Sequence, residues 1–201
     1  MRMLAVLSLV ALSGSAGSGL AQESKTAAPQ VDMAEMMKKA RVYIEPGPAH
    51  KVLERFLGSW DTEMRFTMPG LPSKPEKGTS TCSWLMPGRW MKCDATGTMM
   101  GKPLQTFVVL GYDNFKMSYR VMTVSSMDTA MFVSEGDLDP NGKVLITYGT
   151  LDEYLTGEHD KMVRYVWRFL SDDRIVLEVH DLPIGETNTK VLEFVYTRRK
   201  P

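Results

Sequence analysis

The sequence predicts an all-β protein of about ten antiparallel strands preceded by one or two short helices. Two observations carry this. From Gly58 onward apolar and polar residues alternate with period two, first in Trp60, Thr62, Met64, Phe66 and Met68 against Asp61, Glu63, Arg65 and Thr67. Nine further strand candidates follow at short intervals, near 77–86, 89–97, 104–112, 117–125, 129–138, 143–150, 161–170, 174–181 and 190–199. Turn signals separate several of them: Pro87-Gly88, Asp113-Asn114, Asp139-Pro140-Asn141-Gly142, Ser171-Asp172-Asp173 and Pro183-Ile184-Gly185-Glu186. Ten strands in one run fold as an antiparallel sandwich or a barrel.

The elements before the strands read in order. Arg2, the apolar run Met3 to Leu12 and the small residues Gly19 and Ala21 form a signal-peptide pattern, with cleavage expected after Ala21. The apolar run is too short to anchor in a bilayer. Residues 22–47 read as a leader with a short helix, Asp32 to Tyr43, capped by Asp32 and stopped by Glu45-Pro46-Gly47-Pro48. Ala49 to Leu57 reads as a second helix, with Val52, Leu53, Phe56 and Leu57 on its apolar face and Gly58 at its end. Residues 48–201 form the expected barrel domain. Its expected location is the periplasm or the exterior.

Composition narrows the function classes. Lys+Arg and Asp+Glu are both 24, so the net charge is zero and a nucleic-acid coat is not expected. Hydrophobic residues make up 43%, which is ordinary for a globular protein. No later stretch is long and apolar enough for a transmembrane helix.

The mature chain has two cysteines, Cys82 and Cys93, around Pro87-Gly88. In a hairpin centred there, paired residue numbers sum to 175, which sets Cys82 opposite Cys93 within disulfide range. An exported chain favours that bond.

Near the chain end Leu192, Phe194, Tyr196 and Arg198 share a strand face. An arginine on an apolar face needs a receiver. Trp60, in Gly58-Ser59-Trp60, is the expected one by cation–π stacking. This pairing resembles the calycin superfamily, in which a first-strand tryptophan packs on an arginine near the chain end. Lipocalins, fatty-acid-binding proteins and nitrobindin-like barrels belong to it. A closer resemblance runs from His50 to Arg199. It rests on Leu57-Gly58-Ser59-Trp60, Pro87-Gly88-Arg89, Gly111-Tyr112-Asp113-Asn114 and Tyr196-Thr197-Arg198-Arg199. In these residues the chain is similar to the bacterial domain-of-unknown-function family 1579. That resemblance implies an exported, lipocalin-like barrel and no established activity.

A barrel of this size either fills its interior or keeps a cavity for one small ligand. Alternation suggests Met64, Phe66, Trp84, Phe107, Val109, Tyr119, Tyr165, Trp167, Phe194 and Tyr196 as lining, with Arg89 and the tyrosine hydroxyls orienting a polar group. The expected ligand-binding set is Phe66, Trp84, Arg89, Phe107, Tyr119, Tyr165, Trp167 and Tyr196. A one-residue register error would turn any strand inside out.

Other chemistry finds little footing. His50 is expected in a surface pair with Glu54, and His159 in a solvated loop. Haem ligation by His180 is weighed because some nitrobindin-like barrels use a histidine from a late strand, but the sequence offers no distal partner or matching motif, and it is not the expectation. No cluster supplies a zinc site. Of 16 methionines, 14 remain once Met1 and Met3 are removed. Cu(I) ligation through them is weighed against a role as flexible apolar filler on strand faces, which is the expectation. No catalytic residue, cofactor or metal is assigned. Three readings stay open: a carrier of a small hydrophobic ligand, an enzyme acting on a molecule held in the barrel, and a filled barrel that binds a partner.

Overall fold

The computed structural model describes residues 32–67, 74–153, 157–182 and 189–200. The expected signal peptide, residues 22–31 of the leader, Met68 and the Pro183-Ile184-Gly185-Glu186 turn lie outside them. The order is α1 (Met33–Ile44), a 3-10 helix (Pro48–Phe56), then β1 (Gly58–Phe66), β2 (Glu76–Met86), β3 (Trp90–Met99), β4 (Lys102–Asp113), β5 (Ser118–Ser125), β6 (Met131–Leu138), β7 (Val144–Glu153), β8 (Glu158–Ser171), β9 (Arg174–Asp181) and β10 (Thr189–Arg198). Each strand pairs antiparallel with its chain neighbour, and β10 closes on β1. The barrel is therefore up-and-down and has no free edge, which removes unpaired backbone groups from the rim of the sheet. Every expected strand is present within a few residues.

Register decides which side chains enter the lumen. Trp60 pairs with Ser80 on one side and Arg198 on the other, and Thr62 with Gly78 and Tyr196. The inward set continues around the wall through Ile175, Leu177, Trp167, Leu145, Val121, Leu110, Met91 and Cys82. These residues form one buried cluster with Leu53 and Phe56 of the 3-10 helix. The helix thus plugs the barrel end where β1 begins and β10 finishes. Its Leu53 is fully buried. The sequence suggested an ordinary helix here. The chain instead winds tightly, with His50 N–H donating to Gly47 O at 3.0 Å and Leu57 N–H to Glu54 O at 3.2 Å.

The plug is tied down by polar contacts. Trp60 Nε1 donates to Phe56 O at 2.7 Å. Arg198 donates to the carbonyls of Leu57, Arg55 and Asp172. The bonds to Arg55, Phe56 and Leu57 satisfy carbonyls that the end of the helix leaves free, and the one to Asp172 holds the β8–β9 turn beside it. Gly58 makes room for this: its φ is +112°, and a Cβ there would meet Arg198 Nη1 at 2.7 Å.

His50 is not in a surface pair with Glu54. It is buried within the plug, accepts from Gly47 N–H through Nδ1 at 3.0 Å and packs edge-on against Tyr112 at 5.6 Å. The plug's first turn faces the barrel, which turns His50 inward.

α1 begins as expected, with Asp32 Oδ1 accepting from Ala34 N–H and Glu35 N–H. It buries no residue, so Met33, Met36 and Met37 form an unpartnered stripe. Its end is held to the plugged end of the barrel by Asn114 Nδ2, which donates to Glu45 O at 2.8 Å, and by Tyr43 stacked on Phe115 at 4.3 Å.

Candidate functional site: the barrel lumen

The Cys82–Cys93 disulfide is present and joins directly opposed residues of β2 and β3 on the lumen side. Trp84 pairs with Met91 in the same register. The hairpin arithmetic therefore holds up to Trp84, and a shift follows at Met86, which pairs with Trp90.

The expected lining separates into three groups. Phe66, Trp84, Tyr119, Tyr165, Trp167 and Tyr196 face the lumen, as do Met64 and Phe194. Phe107 and Val109 face outward, which corrects the expected β4 orientation. Phe107 pairs with Asp94 and Val124 on the outer surface, with Lys92 Nζ 5.8 Å from its ring. Val108 and Leu110 take the inward positions instead. Arg89 sits in the exposed β2–β3 turn and donates to Ile44 O, so it orients nothing in the lumen.

Within the lumen the two ends differ. Against the plug, Trp60, Met91, Leu110 and Leu145 are sealed. Tyr119 belongs to this floor, because its hydroxyl donates to Ala49 O at 2.9 Å. Burial pushes that phenol up to about 12. Farther from the plug, Phe66, Leu192, Phe194, Cys93, Ala95, Val108 and Tyr165 face inward yet keep accessible surface. Facing them are small or absent side chains: Gly78, Ser80 and Gly97 on β2–β3, and Ser134, Gly136 and Gly149 on β6–β7.

Tyr196 is a further inward ring. Its ring lies 6.4 Å from Trp60, 6.0 Å from Trp167 and 6.2 Å from Phe194, centre to centre. Burial raises its phenol well above the usual value. Yet the side chain is only partly covered. Both facts hold if the ring borders space inside the barrel wall. Tyr165, next on the lumen face of β8 from Trp167 and farther from the plug, is likewise pushed up to about 12 by burial, with Asp181 adding to the effect.

At the end away from the plug Lys161 and Asp181 face inward and pair at 2.7 Å. His180 lies on the outer face of β9, opposite Arg164 and Lys190 and beside Glu178. It offers nothing to a ligand in the lumen. His159 is exposed, 3.6 Å from Asp152. The methionine expectation is corrected in part: Met64 and Met91 fill the core, but eight others are exposed on α1, turns and outer faces. Those turn and outer-face positions have no core to fill. Gly111-Tyr112-Asp113-Asn114 is structural. Asp113 Oδ1 accepts from Phe115 N–H and Lys116 N–H, and the Trp90 ring lies flat over Gly111. Among the described residues no group of three His, Cys, Asp or Glu side chains is placed to hold a metal ion, and no helix is long and apolar enough to cross a membrane.

With this geometry in place, the comparisons agree on the fold. The family model described as "Protein of unknown function (DUF1579)" matches residues 45–198. The chain belongs to the DUF1579 family. The matched span begins at the last contact of α1 and ends on Arg198, so the family unit is the plugged barrel without α1. No curated protein matches the chain in sequence. Among solved structures, Rv2717c from M. tuberculosis is similar at 14% identity and a TM-score of 0.57, over 78% of this chain and 100% of that one. The S-type phycobiliprotein lyase CPES from Guillardia theta is similar at 11% identity and a TM-score of 0.53, over 76% and 93%. At these identities the likeness concerns the barrel fold.

Proposed function

We propose that this DUF1579 barrel binds and carries a small, mainly apolar molecule in its lumen, in the periplasm or outside the cell. The observation that carries this reading is Tyr196, a lumen-facing ring set among Trp60, Trp167 and Phe194 that still keeps accessible surface. Apolar walls with a few placed polar groups are the usual make-up of a small-molecule site. The sealed floor and closed sheet support a rigid container, and the lumen-facing charges of Lys161 and Asp181 are spent on one another. A carrier role needs no reacting side chain. The distant likeness to a phycobiliprotein lyase is compatible with a barrel that handles small molecules, and carries no more than that.

Native mass spectrometry of the mature protein, taken from its own periplasm, tests the reading. A stoichiometric apolar molecule released on denaturation supports it. A protein that arrives empty, and whose lumen takes up no added apolar probe, would contradict it.

A further inference from the structure

The outside of the barrel is charged or polar along most strands, as with Asp61, Glu63 and Arg65 on β1 and Arg174, Glu178 and His180 on β9. Strands β4–β6 depart from this. Phe107, Val124 and Met131 stand side by side in one row, and Val109, Met122 and Val133 in the next. All six point outward, because Val108, Leu110, Val121 and Ser134 take the lumen side. Met131 is 62% and Val133 49% exposed. A contiguous apolar patch of this kind marks a contact surface.

The same chain carries a second uncovered apolar surface. Met33, Met36, Met37 and Ala40 form one stripe of α1, which buries no residue. At 12 residues α1 is marginal as an isolated helix in water, so it gains from a surface to lie on. The stripe from Met33 to Ala40 is about 10 Å long, and three strands are about 10 Å across.

The root of α1 is fixed beside the patch. Arg89 donates to Ile44 O. Asn114 Nδ2 donates to Tyr43 O at 3.3 Å and to Glu45 O at 2.8 Å, and Tyr43 stacks on Phe115. Asn114 and Phe115 lie in the turn from β4 to β5, so α1 leaves from the side of the barrel that carries the patch. To reach its own patch α1 would have to break these contacts. A second copy can bring its patch to α1 with all of them kept, and a two-fold axis then makes both contacts at once.

Charge fits the same occupant. On α1, Lys39 pairs with Glu35 and Arg41 with Glu45. At the rim of the patch, Lys92 pairs with Asp94 and Arg120 with Glu135. Two such surfaces meet without like-charge repulsion. Neither has the cationic excess that holds a protein to an anionic lipid surface.

We infer that two copies of this chain associate by exchanging α1, each helix laying its methionine stripe on the outer β4–β6 face of the other barrel. The contact lies outside the lumen and does not depend on what the lumen holds.

Sedimentation of the mature chain tests this. The mass should rise from monomer to dimer with half-assembly at about 10–100 µM, as suits an interface of modest size. Met37→Glu and Val133→Glu change exposed side chains, so each should keep the parent urea midpoint while raising the half-assembly concentration tenfold or more. A second measurement locates the helix. Chains carrying a spin label at Lys38→Cys, off the methionine stripe, are mixed with isotope-labelled chains that carry no spin label. Amide signals of Val109, Met122 and Val133 in the isotope-labelled chains should broaden. A chain that stays monomeric at 300 µM would overturn the inference. A dimer that survives Met37→Glu would overturn it too, since patch would then meet patch. So would a dimer that survives Val133→Glu, or broadening confined to α1, since helix would then meet helix.

Discussion

The guanidinium of Arg198, near the end of the last strand, lies 4.1 Å from the centre of the Trp60 ring on the first. The two residues pair across the β1–β10 seam that closes the barrel. Between them they satisfy three consecutive carbonyls of the plug, those of Arg55, Phe56 and Leu57. The same contact therefore closes the sheet and fixes the floor of the lumen. Trp60→Ala removes a fully buried ring and should cost about 3–5 kcal/mol. Arg198→Ala should cost about 2 kcal/mol, from carbonyls left without donors. Urea unfolding of each variant reads both values. An unchanged midpoint for Trp60→Ala would mean that the seam does not hold the barrel shut.

Gly58 follows from the same geometry. At φ +112° a side chain is strained, and its Cβ would occupy the place of Arg198 Nη1. Gly58→Ala should lose about 1–3 kcal/mol. Combined with Arg198→Ala, part of that loss should disappear, because the clash goes with the guanidinium. Strict additivity in a double-mutant cycle would show that only the backbone conformation matters.

Gly111 answers to Trp90. A Cβ at 111 would lie 2.1 Å from the indole, so Gly111→Ala must push the ring off the outer face of β4. Trp90 fluorescence should shift to the red, and the melting temperature should fall. A spectrum like that of the parent protein would show the ring to be free to move aside.

His50 gives the protein a pH dependence. Burial pushes its pKa below 6.5, and the charge of Arg89 adds to this, against smaller opposing effects from the backbone at Gly47 and Tyr112. The unfolded chain then binds the proton more readily. Stability from this group is complete above about pH 6.5 and declines as pH falls from there toward the lower folded pKa, by at most about 1.4 kcal/mol per pH unit. Urea midpoints at pH 7.5 and 5.5 should differ in the parent chain and converge in His50→Gln. An equal drop in both would place the proton elsewhere.

The disulfide closes a short loop across β2 and β3. Labelling of the unreduced, denatured protein should find no free thiol. Replacing both Cys82 and Cys93 by Ala should cost about 2–3 kcal/mol. Two labelled thiols would remove the bond from the account.

Much of this was legible in the residues, for physical reasons. The strand positions follow from clean alternation on strands with one wet face, such as Trp60 to Phe66, and from turn residues with special backbone needs. The Cys82–Cys93 pair and the Trp60–Arg198 contact follow from hairpin arithmetic and from the cost of an arginine on an apolar face. Alternation fails where both faces of a strand are apolar. Phe107-Val108-Val109-Leu110 offers no polar residue to mark the outside, so Phe107 and Val109 were open to inversion. Arg89 read as a lumen residue because nothing local says at which end of a barrel a turn lies. The burial of His50 depends on how the plug docks, which is tertiary information.

The central claim is that the lumen, beside Tyr196, is where an apolar molecule resides. Crystals of the mature protein soaked with 2-iodonaphthalene test it by the anomalous signal of iodine. The account predicts a peak inside the barrel, within contact of Phe194, Tyr196 and Tyr165. A peak only on the outer face, beside Phe107 or Met131, would contradict it.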